Sequence, residues 1–168
     1  MWASYMPVFE FVILLILASL AARIDLRAMI LPDSINAALA LAGLGFQILR
    51  QATPPTDSLF GILLGGAIPA LVRGAFFKLR NVEGLGLGDV KFSAAAGAWT
   101  GTYDFPVFLF ISSIAALTYA APRSLLASPV RSSERIIFGP FLGVGLLITM
   151  MFRYGLGQPI IDAIAAYQ

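Results

Sequence analysis

Long apolar stretches separated by short polar breaks dominate the chain. Apolar runs cover Met1 to Ala22, Ile35 to Leu49, Leu59 to Phe77, Val90 to Tyr103, Val107 to Ala121 and Ile136 to Phe152. Runs of this kind read as membrane-crossing helices. The pattern therefore predicts an all-α polytopic membrane protein of about six transmembrane helices, forming a single domain over residues 1–168. Several runs are short: 14 to 17 residues span roughly 21 to 26 Å at the helical rise, against a hydrocarbon core of about 30 Å. The fourth run carries Lys91 and a series of small residues, Ser93, Ala94, Ala95, Ala96, Gly97 and Ala98, and no long aliphatic stretch. It is expected to lie among the other helices, where small side chains let backbones approach closely.

The breaks have recognisable chemistry. Pro32-Asp33-Ser34 is placed to open the second helix, with Asp33 or Ser34 as its cap. Thr53-Pro54-Pro55-Thr56 and the glycine stretch Gly84 to Gly88 punctuate the next two. Gly61 and Gly65 form a GxxxG pair in the third run, which reads as a helix-packing face. The first run has the length of a signal peptide, but it lacks a basic start, contains Glu10 and is followed by further spans, so it is read as a retained helix. Ile160 to Tyr167 forms a short apolar tail.

Composition agrees with the pattern. Hydrophobic residues make up 59% and charged residues 12% of the chain, against about 25% charged in soluble domains, which excludes a soluble globular protein and implies the lipid bilayer as partner. The basic residues sit singly between apolar runs, so they indicate topology and not a nucleic-acid surface. With the amino terminus outside, Arg23, Arg27, Arg73, Lys78, Arg80, Lys91, Arg123, Arg131 and Arg135 fall on the cytoplasmic side and only Arg50 and Arg153 fall opposite. That bias fixes the expected orientation. The sequence contains no cysteine and no histidine. Thiolate chemistry and the usual zinc sites are excluded, no metal or cofactor is expected, and acid–base work is left to carboxylates, Lys, Tyr and hydroxyls.

In that topology Glu10, Asp57, Asp104 and Asp162 fall outside, and Asp25, Asp33, Glu83, Asp89 and Glu134 fall inside. Asp25 ends the first span, and Asp89 opens the fourth directly after Gly84-Leu85-Gly86-Leu87-Gly88. Carboxylates in membrane helices are costly and rare without a role. Two of them held together share a proton, as in aspartic proteases, so that one is a base toward water and the other an acid toward a peptide carbonyl. The glycines before Asp89 are expected to allow positive φ and close approach of an extended substrate. Lys91 is placed to bind a carbonyl or bias the ionisation of the pair.

Two segments resemble the signatures of the type IV prepilin peptidases. Arg23-Ile24-Asp25-Leu26-Arg27-Ala28-Met29-Ile30-Leu31-Pro32-Asp33 is similar to the first, an Asp followed seven residues later by Pro and then Asn or Asp. Gly86-Leu87-Gly88-Asp89-Val90-Lys91 is similar to the second, GxGD followed by a hydrophobic residue and Lys, and Phe138-Gly139-Pro140-Phe141-Leu142 matches a third motif. The resemblance implies a membrane aspartic endopeptidase with Asp25 and Asp89 as the catalytic pair and Gly86, Gly88 and Lys91 as substrate contacts. Its partner would be a pilin or pseudopilin precursor, whose short basic leader is removed at the cytoplasmic face of a bacterial inner membrane. Longer bifunctional members carry an added amino-terminal portion with paired CxxC motifs, which is absent here. The resemblance therefore extends to the peptidase and not to amino-methylation, and most resembles the compact peptidases of tight-adherence (Flp) pili.

Two other classes of membrane protein compare with this pattern. A proton-coupled transporter also uses intramembrane carboxylates, but neither an inverted repeat nor a midplane acid is visible. A non-enzymatic membrane scaffold would tolerate Asp25→Asn and Asp89→Asn.

Overall fold

The structure is a computed structural model describing residues 2–28, 30–50, 54–81, 84–126 and 138–155. Five helices follow one another: α1 (Trp2–Ala28), α2 (Asp33–Arg50), α3 (Pro55–Arg80), α4 (Leu87–Leu126) and α5 (Gly139–Arg153). No strand occurs among the described residues. Pro7–Ala28, Pro55–Arg80 and Leu87–Pro122 are long and apolar enough to cross a membrane, and α5 is a shorter apolar helix. Large apolar side chains such as Leu63, Leu71, Phe110 and Leu117 point away from the protein, as a lipid-facing surface requires. The expected tail at Ile160 to Tyr167, and Glu83, Glu134 and Asp162, lie outside the described residues.

The fourth and fifth expected spans form one element with a break inside it. The expected break lay between Tyr103 and Val107, yet the backbone departs from helix at Gly101, with φ 63° and ψ −160°. That conformation is open in practice only to glycine, whereas Pro106 is absorbed within the following helical arm. A straight helix would hold Ser93 and Leu109 about 24 Å apart, but both line one small cavity. The chain therefore turns back at Gly101, and the two arms of α4 lie side by side.

Asp57, in the first turn of α3, stabilises this turn. Its Oδ1 accepts the Thr102 N–H at 3.0 Å, and a β-carbon at Gly101 would strike its Oδ2. The last carbonyls of the first arm find side-chain donors: the Arg153 guanidinium reaches Trp99 O at 2.8 Å and Thr100 O at 3.2 Å, and the Gln47 amide reaches Trp99 O at 3.1 Å. These bonds satisfy helix-end carbonyls that would otherwise be buried without partners.

The first arm of α4 is the centre of the molecule. Phe92, Ser93 and every residue from Ala95 to Thr100 are buried, as the small-residue composition led us to expect. The GxxxG pair of α3 lies against it: a β-carbon on Gly61 would collide with the Gly97 carbonyl oxygen, and one on Gly65 with that of Ser93. Close backbone approach of this kind is how membrane helices gain packing contact without a hydrophobic driving force. Trp99 fills the gap toward α2, with its indole N–H on Leu39 O at 2.8 Å and its ring against the space left by Gly43.

Polar groups collect at two ends. Glu10 and Asp25 lie on α1 about 22 Å apart along its axis. At the Glu10 end, Arg50 pairs with Glu10 at 3.1 Å, and Arg153 pairs with Asp104 at 3.4 Å. Burial, and then Glu10 beside it, push the Tyr154 hydroxyl above the usual tyrosine range, so that it stays neutral. At the other end lie Asp25, Asp33, Asp89 and Lys91. The acids whose side chains are described thus divide between the ends as the topology required.

Candidate active site

α1 continues six residues beyond the expected Ala22 and so carries Asp25 on its last turns. Asp25 is 7% exposed and accepts the backbone N–H of Gly139, the first residue of α5. A β-carbon at Gly139 would collide with Asp25 Oδ2, so glycine at this position is what lets the carboxylate reach the helix start. A carboxylate at a helix amino terminus is also favoured by the helix dipole. Pro140 follows Gly139 in the first turn, where a missing N–H is harmless.

Asp89 sits in the first turn of α4 and is half-buried. Its Oδ2 accepts the Gly86 N–H at 3.3 Å, while the Gly86 carbonyl takes the Val90 N–H at 3.3 Å. The side chain thus reaches back across the helix start, as the third residue of a capping box does. From α3, Arg73 donates to the Leu85 carbonyl at 2.6 Å and holds the glycine loop in place.

The glycines act by size. Among the described glycines only Gly101 and Gly155 have positive φ, so the expectation of left-handed backbone before Asp89 is not met. Gly88 is helical, and a β-carbon there would press on Leu31 Cβ at 3.0 Å. The position is small because the segment after α1 packs directly on it.

Asp25 and Asp89 line one open cavity of about 330 Å³, shared with Asp33, Lys91, Leu31, Gly86 and Gly88. Residues 64 positions apart in the chain are thus brought to one wall, from two helices. The five residues expected at the site, Asp25, Asp89, Gly86, Gly88 and Lys91, all line this cavity. Lys91, expected to bind a carbonyl or bias the ionisation of the pair, is bonded to Asp33 Oδ1 at 2.6 Å. Asp33 is the first residue of α2 and does not cap it by its side chain in any described bond; the Pro32 carbonyl accepts the Ile35 and Asn36 N–H groups. Among the described residues no three acidic side chains converge closely enough to hold a metal ion.

Two participants escaped the sequence reading. Gly139 stood in the sequence only within the third motif, Phe138-Gly139-Pro140-Phe141-Leu142, which was the available signal. The Asp33–Lys91 pair joins the ends of the two signature segments, and its signal was the opposite charges that close them.

The sequence profile described as the type IV leader peptidase family matches residues 12–121. The chain belongs to this family. Both signature segments lie within the match, and the α5 start lies beyond it. The chain is 35% identical over 127 residues to the prepilin leader peptidase/N-methyltransferase of Escherichia coli (strain K12), covering 76% of this chain and 56% of that protein. It is 34% identical over 129 residues to the protein of the same name from Aeromonas salmonicida (strain A449), covering 77% and 44%. The chain thus spans about half the length of these curated relatives. Leader peptidase HopD of Escherichia coli is similar over more of its own length: 32% identity over 118 residues covers 70% of this chain and 76% of HopD. No solved structure matches this chain.

Proposed function

We propose that this member of the leader peptidase family is a membrane aspartic endopeptidase that removes the short basic leader from pilin-like precursors. The observation that carries the reading is the meeting of Asp25 and Asp89, from separate helices, on the wall of one open cavity. Carboxylates within membrane helices are rare without a role, and a pair of them facing an open cleft is the arrangement that aspartic proteolysis needs.

In the proposed reaction one carboxyl carries a proton and its partner is ionised. The ionised member takes a proton from water as the water oxygen attacks the scissile carbonyl. The protonated member donates to the carbonyl oxygen, and protonation of the leaving amine then separates the products. Gly139 and Gly86 orient the two carboxylates through their N–H groups. Gly86 and Gly88 line the cavity in which an extended substrate would lie. Lys91 acts with Asp33 as a strut between α2 and α4 at the mouth of the cavity and is available to a substrate carbonyl from there.

Counting the two arms of α4 separately, six membrane crossings place both chain ends outside and the cavity at the cytoplasmic face of a bacterial inner membrane. The charge bias of the sequence supports that orientation. Precursors of tight-adherence (Flp) pili are the proposed substrates, on the motif resemblance. Co-expression with a panel of pilin precursors, read by the mass of each product, tests the reading. Leader loss that disappears in Asp25→Asn and in Asp89→Asn is expected; cleavage that survives both changes refutes it.

A further inference from the structure

A second cavity adjoins the first and shares Asp89 with it. It measures about 180 Å³ and lies between α3, the two arms of α4 and the start of α5, lined by Ile68, Val72, Leu109, Phe138 and Leu142. Asp89 is thus the partition between a polar chamber and an apolar one. The apolar chamber is open sideways. Val72 is 56% and Ile68 is 38% exposed on α3, and Ser113, on the facing arm of α4, is exposed as well. All three face the surface that lipid covers, so the chamber is a groove running from the bilayer to Asp89.

A buried hydroxyl stands inside it. Ser93, one helical turn beyond Asp89, is 1% exposed, and its hydroxyl has no hydrogen-bond partner. Buried hydroxyls are rarely left unpaired. A ligand backbone in the groove would supply the missing partner.

We infer that this groove receives the membrane-embedded part of the substrate and seats the apolar side chain that follows the scissile bond. The inference rests on the peptidase reading above. The resemblance to the type IV prepilin peptidases implies a precursor whose basic leader precedes an apolar helix, and such a precursor has one polar and one apolar flank at the cleaved bond. The two chambers present the matching surfaces on either side of Asp89, and the lateral opening lets the apolar flank arrive without leaving lipid. A cavity of about 150 Å³ accommodates a benzene ring, so the groove has room for one aromatic or branched side chain. The Ser93 hydroxyl then bonds the substrate backbone next to the bond being cut.

The test compares cleavage of two precursors that differ only in the residue after the scissile bond, Phe in one and Ala in the other. Val72→Trp and Ser113→Trp narrow the groove from its two lips, and both positions face lipid. Each variant should lower the Phe-to-Ala ratio of cleavage rates by about tenfold or more, the scale on which apolar pockets discriminate. A photoreactive residue at Val72 in the Asp89→Asn background should crosslink to the uncleaved Phe precursor. An unchanged ratio in both variants, or a crosslink absent from the segment after the scissile bond, overturns the groove assignment while leaving the peptidase reading intact. Failure of the unaltered protein to cleave either precursor overturns the peptidase reading itself and the groove assignment with it.

Discussion

The Gly139 N–H donates to the Asp25 carboxylate, and the absence of a β-carbon at 139 is what makes that contact possible. The amino terminus of α5 therefore acts as a fixed stop for an acid carried by α1. Because the atom in the way is the end of a short side chain and not backbone, an added methyl would displace the carboxylate and leave the helices in place.

Gly139→Ala should accordingly lower the cleavage rate by roughly 100-fold, the scale of a 1 Å misplacement of a reacting group. The melting temperature in detergent should barely change. Assay of purified variant and parent on one precursor checks this, and full activity would show that the contact does not position Asp25.

Asp25→Asn and Asp89→Asn preserve volume and remove the proton-transfer capacity. Each should reduce cleavage by about 10²-fold to 10⁴-fold, with membrane insertion unaffected by protease-accessibility mapping. The double variant should lose little more than either single, because the pair works as a unit.

The α3–α4 seam gives a stability prediction with an internal control. Gly61→Ala places a methyl against the Gly97 carbonyl, whereas a β-carbon at Gly74, on the same helix, meets nothing within 4 Å. The first change should cost about 1 to 3 kcal/mol through overpacking. The second should be neutral or slightly stabilising, as expected from helix propensity. Thermal unfolding of both in one detergent decides the matter; equal shifts would refute the seam.

Glu10 is 1% exposed and depends on Arg50 for its ion pair. Arg50→Met should destabilise by about 3 kcal/mol, since it strands a buried charge. Adding Glu10→Gln to it should recover part of the loss, and a double-mutant cycle measures the coupling. Additive effects would mean that the pair contributes nothing.

Much of this protein was legible along the chain because it depends on neighbours in sequence. The apolar runs set the helices, and the placement of single basic residues set the expected orientation. Small residues marked the buried fourth segment, and the two signature segments marked Asp25 and Asp89. Local reasoning failed where two devices competed. The break was expected between Tyr103 and Val107, but the turn formed at Gly101, where Asp57 of another helix stabilises a backbone conformation that only glycine adopts. Gly88 was expected to allow positive φ beside an extended substrate; its backbone is helical and it packs against Leu31.

Tertiary packing alone decided which groups meet. No rule of periodicity or spacing relates Asp25 to Asp89 or to Gly139, or Lys91 to Asp33, since each pair belongs to different helices and their separation depends on how those helices cross. The sequence by itself determined the kinds of helix, their order and the chemistry available at their ends. The fold decided which ends share a cavity, because contact between distant segments follows from shape and close approach, and those properties exist only once the helices are packed.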